Sequence, residues 1–322
     1  MEIKHAKVGC TSAQVVRFGG RRRCCTNCGV AWRIRLKKRG RRRRRSSSEF
    51  VLRYFRHEIP SLRGLAQRKH QSRRCLELRL RRSRDFFLAH TPWPMIPETG
   101  PLIVIADAIV FQHQGRWYTS HLFLVRSPDD LEAVILPPVI LAGTETSTSW
   151  AIAFATIPAE VLTRIKALVC DGHRGLVYFA ARQHWIIQRC HFHLLAAVSG
   201  RRSRFGRSRH REEGQRIYEL VKRVLLTTDE TQVPTLLNQI DDEALSTSSP
   251  ELRRYLRGFV NAWEDFRSYQ YHPELHLPTT NNTAESLAGC LRELLHRARG
   301  FSSLGAIEKW FAAFVKYKKT IK

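Results

Sequence analysis

Residues 166–193 read K-A-L-V-C-D-G-H-R-G-L-V-Y-F-A-A-R-Q-H-W-I-I-Q-R-C-H-F-H, and this stretch decides the fold class. A short apolar strand ends on the corner Asp171-Gly172, an alanine-containing helix follows, and a second apolar strand, Trp185 to Ile187, ends in Cys190-x-x-His193. Polar groups stand only where the apolar segments stop. Open α/β sheets place their chemistry at the carboxyl edge of the strands, which makes Asp171 a candidate and sets the search for partners.

Upstream, Leu102 to Phe111 reads as a strand, Gln112 to Gly115 as a hairpin turn, Tyr118 to Val125 as a second strand and Ala133 to Ala142 as a third, bent at Pro137-Pro138. Ser147 to Arg164 is helical in character, and Leu168 to Cys170 is the next strand. Three strands in hairpins, a helix, then strand, helix and strand is the order of an RNase H-like mixed sheet. In that topology the first strand lies beside the fourth, so Asp107 faces Asp171. Asp107 interrupts the apolar run L-I-V-I-A-D-A-I-V-F, where a lone ionised carboxylate costs several kcal/mol unless it is neutralised or meets a cation. A hydrogen-bonded structural Asp is the other reading, and Asp-Gly after a strand is also ordinary turn chemistry.

Downstream, residues 196–280 break the sheet pattern and read as an all-α insertion. Gly200 to Arg211 is an Arg-rich loop, and Glu212–Leu226, Thr231–Leu245 and Pro250–Tyr269 carry helical apolar spacing. Then Thr279-Thr280-Asn281-Asn282-Thr283-Ala284-Glu285 opens a helix with Ala284, Ala288, Leu291, Leu295 and Ala298 inward. Glu285 lies at the edge of that face. Read locally, Asn282 and Glu285 make a capping box. Leu304 to Lys319 is a closing amphipathic helix with Leu304, Ile307, Phe311 and Phe314 inward.

The amino-terminal third differs in texture. The chain has 322 residues and net charge +27, and residues 1–100 hold 27 Lys and Arg against 6 Asp and Glu, which leaves 28 against 22 elsewhere. Such charge releases counterions from a phosphate backbone, so nucleic acid is the leading partner and a membrane surface the weaker one. No apolar run is long enough to span a bilayer and no signal core opens the chain, so an intracellular, cytoplasmic protein is expected. Cys25-Thr26-Asn27-Cys28-Gly29 is one good zinc knuckle; Cys10 belongs to a second whose partner position is Lys7, so residues 1–45 read as a degenerate zinc ribbon followed by the basic linker Arg33–Arg45. Ser61 and Ser72 each cap a short helix across a tight turn, giving residues 46–95 helix-turn-helix spacing with Arg73, Arg74 and Arg79 set to meet DNA. Pro92, Pro94, Pro97 and Gly100 mark a boundary before a domain spanning 101–322.

Two strand carboxylates and one helix carboxylate at a sheet edge suit two-metal phosphoryl chemistry, for which hard Mg²⁺ or Mn²⁺ prefers oxygen ligands. On I-A-D-A with Asp107, V-C-D-G-H-R-G-L with Asp171, Q-R-C-H-F-H with Cys190 and His193, and T-N-N-T-A-E-S-L with Glu285, the sequence resembles the DDE transposases of bacterial insertion sequences, in the Mutator-like branch with an α-helical insertion. The resemblance implies Asp107, Asp171 and Glu285 as catalytic metal ligands for Mg²⁺ or Mn²⁺. It further implies Zn²⁺ at Cys10, Cys25 and Cys28, a motif role for Cys190 and His193, and a homo-oligomer that cuts its element's DNA ends and joins them to target DNA. A transposase-derived DNA-binding regulator and a structure-specific nuclease on the same sheet are the alternatives.

Overall fold

The computed structural model describes residues 15–17, 22–33, 47–204, 211–297 and 301–321. It divides into two compact units, the first ending at Ser46 and the second running from Ser47 to Lys322.

The described part of the first unit is a three-stranded antiparallel meander: β1 (Val15–Arg17), β2 (Arg22–Cys25) and β3 (Ala31–Arg33). The turn between β2 and β3 is the Cys25–Cys28 knuckle. Gly29 closes it at φ +69°, where the Gly29 N–H donates to the Cys25 carbonyl at 2.9 Å; a side chain there would strain the backbone.

The second unit begins with α1 (Glu49–Phe55), α2 (Leu62–Arg68) and α3 (Arg73–His90). The Ser61 hydroxyl accepts the Gly64 N–H and the Ser72 hydroxyl the Cys75 N–H, so both expected serine caps are made. A seven-stranded mixed sheet follows, six of its strands being β4 (Leu102–His113), β5 (Arg116–Arg126), β6 (Ala133–Ile135), β7 (Val139–Ala142), then β8 and β9 after two helices, α4 (Ser147–Phe154) and α5 (Ala159–Leu162); the seventh is at the carboxyl terminus. β8 (Ile165–Cys170), α6 (Arg174–Arg182) and β9 (Ile186–Arg189) form the strand, helix and strand expected within residues 166–193. β4 pairs antiparallel with β5 and parallel with β8, and β8 pairs parallel with β9. The expected third strand is two: Pro137 and Pro138 have no N–H for the ladder, so β6 pairs with Leu124 and Val125 while β7 pairs with Tyr118 to His121.

Next comes α7 (His191–Arg204), which runs through the start of the segment expected to be an Arg-rich loop, since no breaker follows Gly200 before Arg204. The helices α8 (Arg211–Leu226), α9 (Val233–Ser246), α10 (Pro250–Val260) and α11 (Trp263–Tyr271) complete the insertion. One expected helix, Pro250–Tyr269, is broken at Asn261-Ala262. The break turns α11 so that it lies along β9 while Phe266 stays in the insertion's core; the buried Gln188 side chain donates to the Phe266 carbonyl and accepts the Tyr269 N–H, and Ser268 Oγ donates to the Ile187 carbonyl. α11 thereby covers an open sheet edge. A 3-10 turn (Pro273–Leu275), α12 (Asn282–Arg297), α13 (Leu304–Lys318) and β10 (Thr320–Ile321), which pairs with β6, end the chain.

Alternation along the strands sorts the core. Leu102, Val104, Ala106, Leu168 and Cys170 face α4, α5 and α6, packing with Trp150, Phe154 and Leu176. Ile103, Ile105, Ile109, Ala167 and Val169 face the other way, against Ala284, Leu287, Ala288 and Leu291 of α12 and Ile307, Phe311 and Phe314 of α13. Leu294, not the expected Leu295, completes the buried stripe of α12; Ala298 lies outside the described residues. Phe55 of α1 stacks edge-on against Trp310 and Phe314, and Lys316 Nζ donates to the Leu88 and Thr91 carbonyls, so the amino-terminal helices share this second core layer. The insertion has its own core around Val221, Ile240 and Leu256.

Candidate active site

Asp107 falls in the odd-numbered series of β4, between Ile105 and Ile109, so its side chain points to the layer that contains α12. The β4–β8 register pairs Ile105 with Val169, and the same offset carried two residues on sets Asp107 opposite Asp171. Glu285 sits in the first turn of α12, on the same side of the sheet. The three carboxylates named from sequence are therefore brought to one sheet edge.

Asp107 is 9 % exposed; its Oδ1 accepts the Ala108 N–H at 2.8 Å, and its Oδ2 is buried with no hydrogen-bond partner. Burial raises its pKa to about 7, and the nearby Asp171 and Glu285 charges push the same way against the Ala108 bond and Arg292. Asp171 Oδ1 accepts the His173 N–H at 2.8 Å across the Asp-Gly corner. Gly172 holds φ +91°, which favours glycine, and a Cβ there would meet the Arg189 guanidinium and displace it.

Glu285 makes no capping box. The helix starts at Asn282, so Asn281 is the cap residue; its buried amide has no hydrogen-bond partner, and the Glu285 carboxylate turns to His193, with Nε2 to Oε1 at 2.8 Å. His193 is raised to about 9, first by the adjacent Cys190 sulfur and also by the Glu285 and Asp171 carboxylates, against the opposing effect of burial. The sulfur is a neighbour of the ring and not a hydrogen-bond partner of His193 Nδ1, which is buried without one. Cys190 is wholly buried and accepts the Asn281 N–H at 3.3 Å.

Two residues of this site had no signal in the sequence. Glu145 precedes the helix cap Thr146, accepts the Trp150 indole N–H at 2.7 Å and lies 3.3 Å from His173 Nδ1. Burial raises its pKa, with Asp171 adding to the rise. Arg189 ends β9 with its guanidinium 4.6 Å from the Phe266 ring centre. Glu145 stands in the polar run G-T-E-T-S-T-S, which reads only as a turn, and Arg189 in an otherwise ordinary strand end.

Among the described residues no three His, Cys, Asp or Glu side chains are drawn together closely enough to hold a metal ion. At the carboxylate edge the reason is visible: like charges repel, and each carboxylate is held by a protein donor, Ala108, His173 or His193. The donor set nonetheless fits a hard cation, being carboxylate oxygens with one buried oxygen left unpartnered at Asp107. At the knuckle, Cys25 is buried and Cys28 half-buried on either side of the turn, while Cys10 lies outside the described residues.

Arg73, Arg74 and Arg79 are all exposed on α3. Arg73 pairs with Glu77 at 2.7 Å and the Arg79 guanidinium lies over the Phe50 ring at 4.6 Å, while Leu76, Leu80 and Phe87 face inward. Among the described residues no helix is long and apolar enough to cross a membrane.

A family model described as "Transposase, Mutator family" matches residues 134–319, more than half of the chain. The chain belongs to the Mutator family of transposases. Membership makes it a DNA-binding protein of transposition and DNA recombination. The match contains Asp171, Cys190, His193 and Glu285, whereas Asp107 lies ahead of it and joins them only through the β4–β8 pairing. No curated protein matches the chain at a significant level.

Proposed function

We propose that this Mutator-family chain is the DDE-type transposase of a bacterial insertion sequence, with Asp107, Asp171 and Glu285 holding Mg²⁺ or Mn²⁺ at the edge of an RNase H-like sheet. It cuts the DNA at the ends of its own element and joins the freed 3′-hydroxyl to target DNA. The observation that carries the reading is the buried, unpartnered Oδ2 of Asp107 beside Asp171 and Glu285. A carboxyl group whose pKa is raised first by burial and further by two carboxylate neighbours is costly to keep for packing alone.

When bound by Asp107, Asp171 and Glu285, divalent cations would supply positive charge for phosphoryl transfer. The chain's own residues do the rest. Asp107 must give up its proton for the site to load. The His173 amide holds the Asp171 carboxylate at the corner, and the α12 stripe keeps Glu285 over the strands. The cationic amino-terminal residues bind phosphates, with α2 and α3 as a helix-turn-helix and Cys10, Cys25 and Cys28 as ligands of a zinc ribbon that reads element ends. A homo-oligomer brings two ends together.

The test is strand cleavage on DNA carrying the element's own ends. Asp171→Asn and Glu285→Gln should lower Mg²⁺-dependent cleavage by at least about a hundredfold while DNA binding persists, and Asp241→Asn in the insertion should leave both unchanged. Equal cleavage by all three variants would overturn the proposal and favour a DNA-binding regulator.

A further inference from the structure

The helical insertion poses a positioning problem. Asp107 and Asp171 are placed by adjacent strands, but Glu285 returns to the sheet only after the chain has left at Cys190 and passed through α7 to α11. Its carboxylate must still arrive at the strand edge in one orientation.

Three contacts join the point where the insertion leaves to the point where it returns. The Asn281 N–H donates to the Cys190 sulfur at 3.3 Å, the His191 N–H donates to the Thr279 carbonyl at 2.8 Å, and His193 Nε2 meets Glu285 Oε1 at 2.8 Å. Cys190 and His193 are three apart at the opening of α7, so they project to one side; Asn281 and Glu285 are four apart at the opening of α12 and do the same. Two helix openings therefore meet face to face. The first two contacts hold backbone to backbone or backbone to thiol, and these suffice to fix where α12 starts. The third does not touch the backbone at all. It acts on the carboxylate alone, since Glu285 stands four residues after the cap Asn281, one beyond the capping-box position.

We infer that His193 is a positioning residue for Glu285, the group that fixes the orientation of this carboxylate beside Asp107 and Asp171. The inference rests on the carboxylate reading proposed above. His193 itself touches neither DNA nor cation in this role. Both side chains are 33 % exposed, so replacing His193 should not prevent folding.

The experiment measures Mn²⁺ binding to the full chain without DNA, by the loss of free-ion paramagnetic resonance signal, alongside Mg²⁺-dependent cleavage and thermal unfolding. His193→Ala should weaken Mn²⁺ binding about tenfold or more and slow cleavage, with DNA affinity and melting temperature unchanged. His193→Gln, whose amide can still donate to the carboxylate, should recover most of both. If Glu285→Gln weakens Mn²⁺ binding but His193→Ala binds as tightly as the unmodified protein, or tighter, His193 does not position Glu285 and the carboxylate reading stands. If His193→Gln and His193→Ala are equally impaired and both melt earlier, the ring serves packing alone and the inference fails. If Glu285→Gln binds Mn²⁺ as the unmodified protein does, the carboxylate reading falls and takes the inference with it.

Discussion

At the scale of single residues, Asp107 concentrates the conflict between stability and function. Its folded pKa of about 7 lies above that of an unfolded Asp, so the group favours folding below about pH 4 and that contribution is lost as pH rises through 7. The loss is at most about 4 kcal/mol. The metal-free protein should therefore be less stable at pH 8 than at pH 6 through this residue, and Asp107→Asn should raise the melting temperature at pH 8 while abolishing cleavage. A calorimetric scan with and without Mg²⁺ checks it: added Mg²⁺ should stabilise the unmodified protein and leave the variant unmoved. Gly172 gives a second prediction. Gly172→Ala meets both a φ of +91° and the Arg189 guanidinium, so it should cost on the order of 2 kcal/mol in urea unfolding and displace the Asp171 corner. An Ala variant as stable and active as the original would show that the corner is not held in this way.

At the scale of elements, the join between β5, β7 and α4 is made by a buried histidine. His121 lies at 3.3 Å from the Val139 carbonyl and 3.1 Å from Ser149 Oγ, with Trp150 edge-on at 4.6 Å, and burial lowers its pKa to about 4. An unfolded His takes up a proton near pH 6.5 while the folded one resists, so stability falls as pH drops from about 6.5 toward 4, by about 3 kcal/mol at the limit. Urea unfolding at pH 7 and pH 5 should show this decline, and His121→Gln should flatten it; an unchanged slope would contradict the assignment. Elements of this kind were legible from sequence wherever an apolar period met a breaker. The strands around Asp107 and Asp171, the serine caps and the α12 stripe all follow from period and punctuation. The joins were not. That Glu285 binds His193 depends on two helix openings meeting across the insertion, and that α11 turns to lie along β9 depends on hydrogen bonds from Gln188 and Ser268. No local pattern encodes partners about eighty residues away. Glu145 was invisible because it stands in a polar run that reads only as a turn.

At the scale of the whole molecule, charge and packing divide differently. The positive excess is concentrated toward the amino terminus, yet α1 to α3 bury Phe55, Leu76 and Leu80 in the layer shared with α13, so these three helices are built into the sheet unit. A fragment of residues 1–95 would expose that apolar face, and the full chain is the proper subject for DNA binding. Its affinity should fall steeply with salt, and deleting residues 1–46, which leaves the second unit whole, should flatten the slope by several units in a titration by fluorescence anisotropy. A slope unchanged by the deletion would assign the phosphate contacts to the sheet unit instead. Iron-directed backbone cleavage asks whether Asp107, Asp171 and Glu285, far apart in sequence, share one cation site. Fe²⁺ substituted for Mg²⁺, with ascorbate and peroxide, generates radicals that cut the chain only where it lies beside the metal. The account predicts Mg²⁺-suppressible cuts near Asp107, Asp171 and Glu285 together, and their joint disappearance in Asp107→Asn; cuts confined to one of the three segments, or none that Mg²⁺ suppresses, would contradict it.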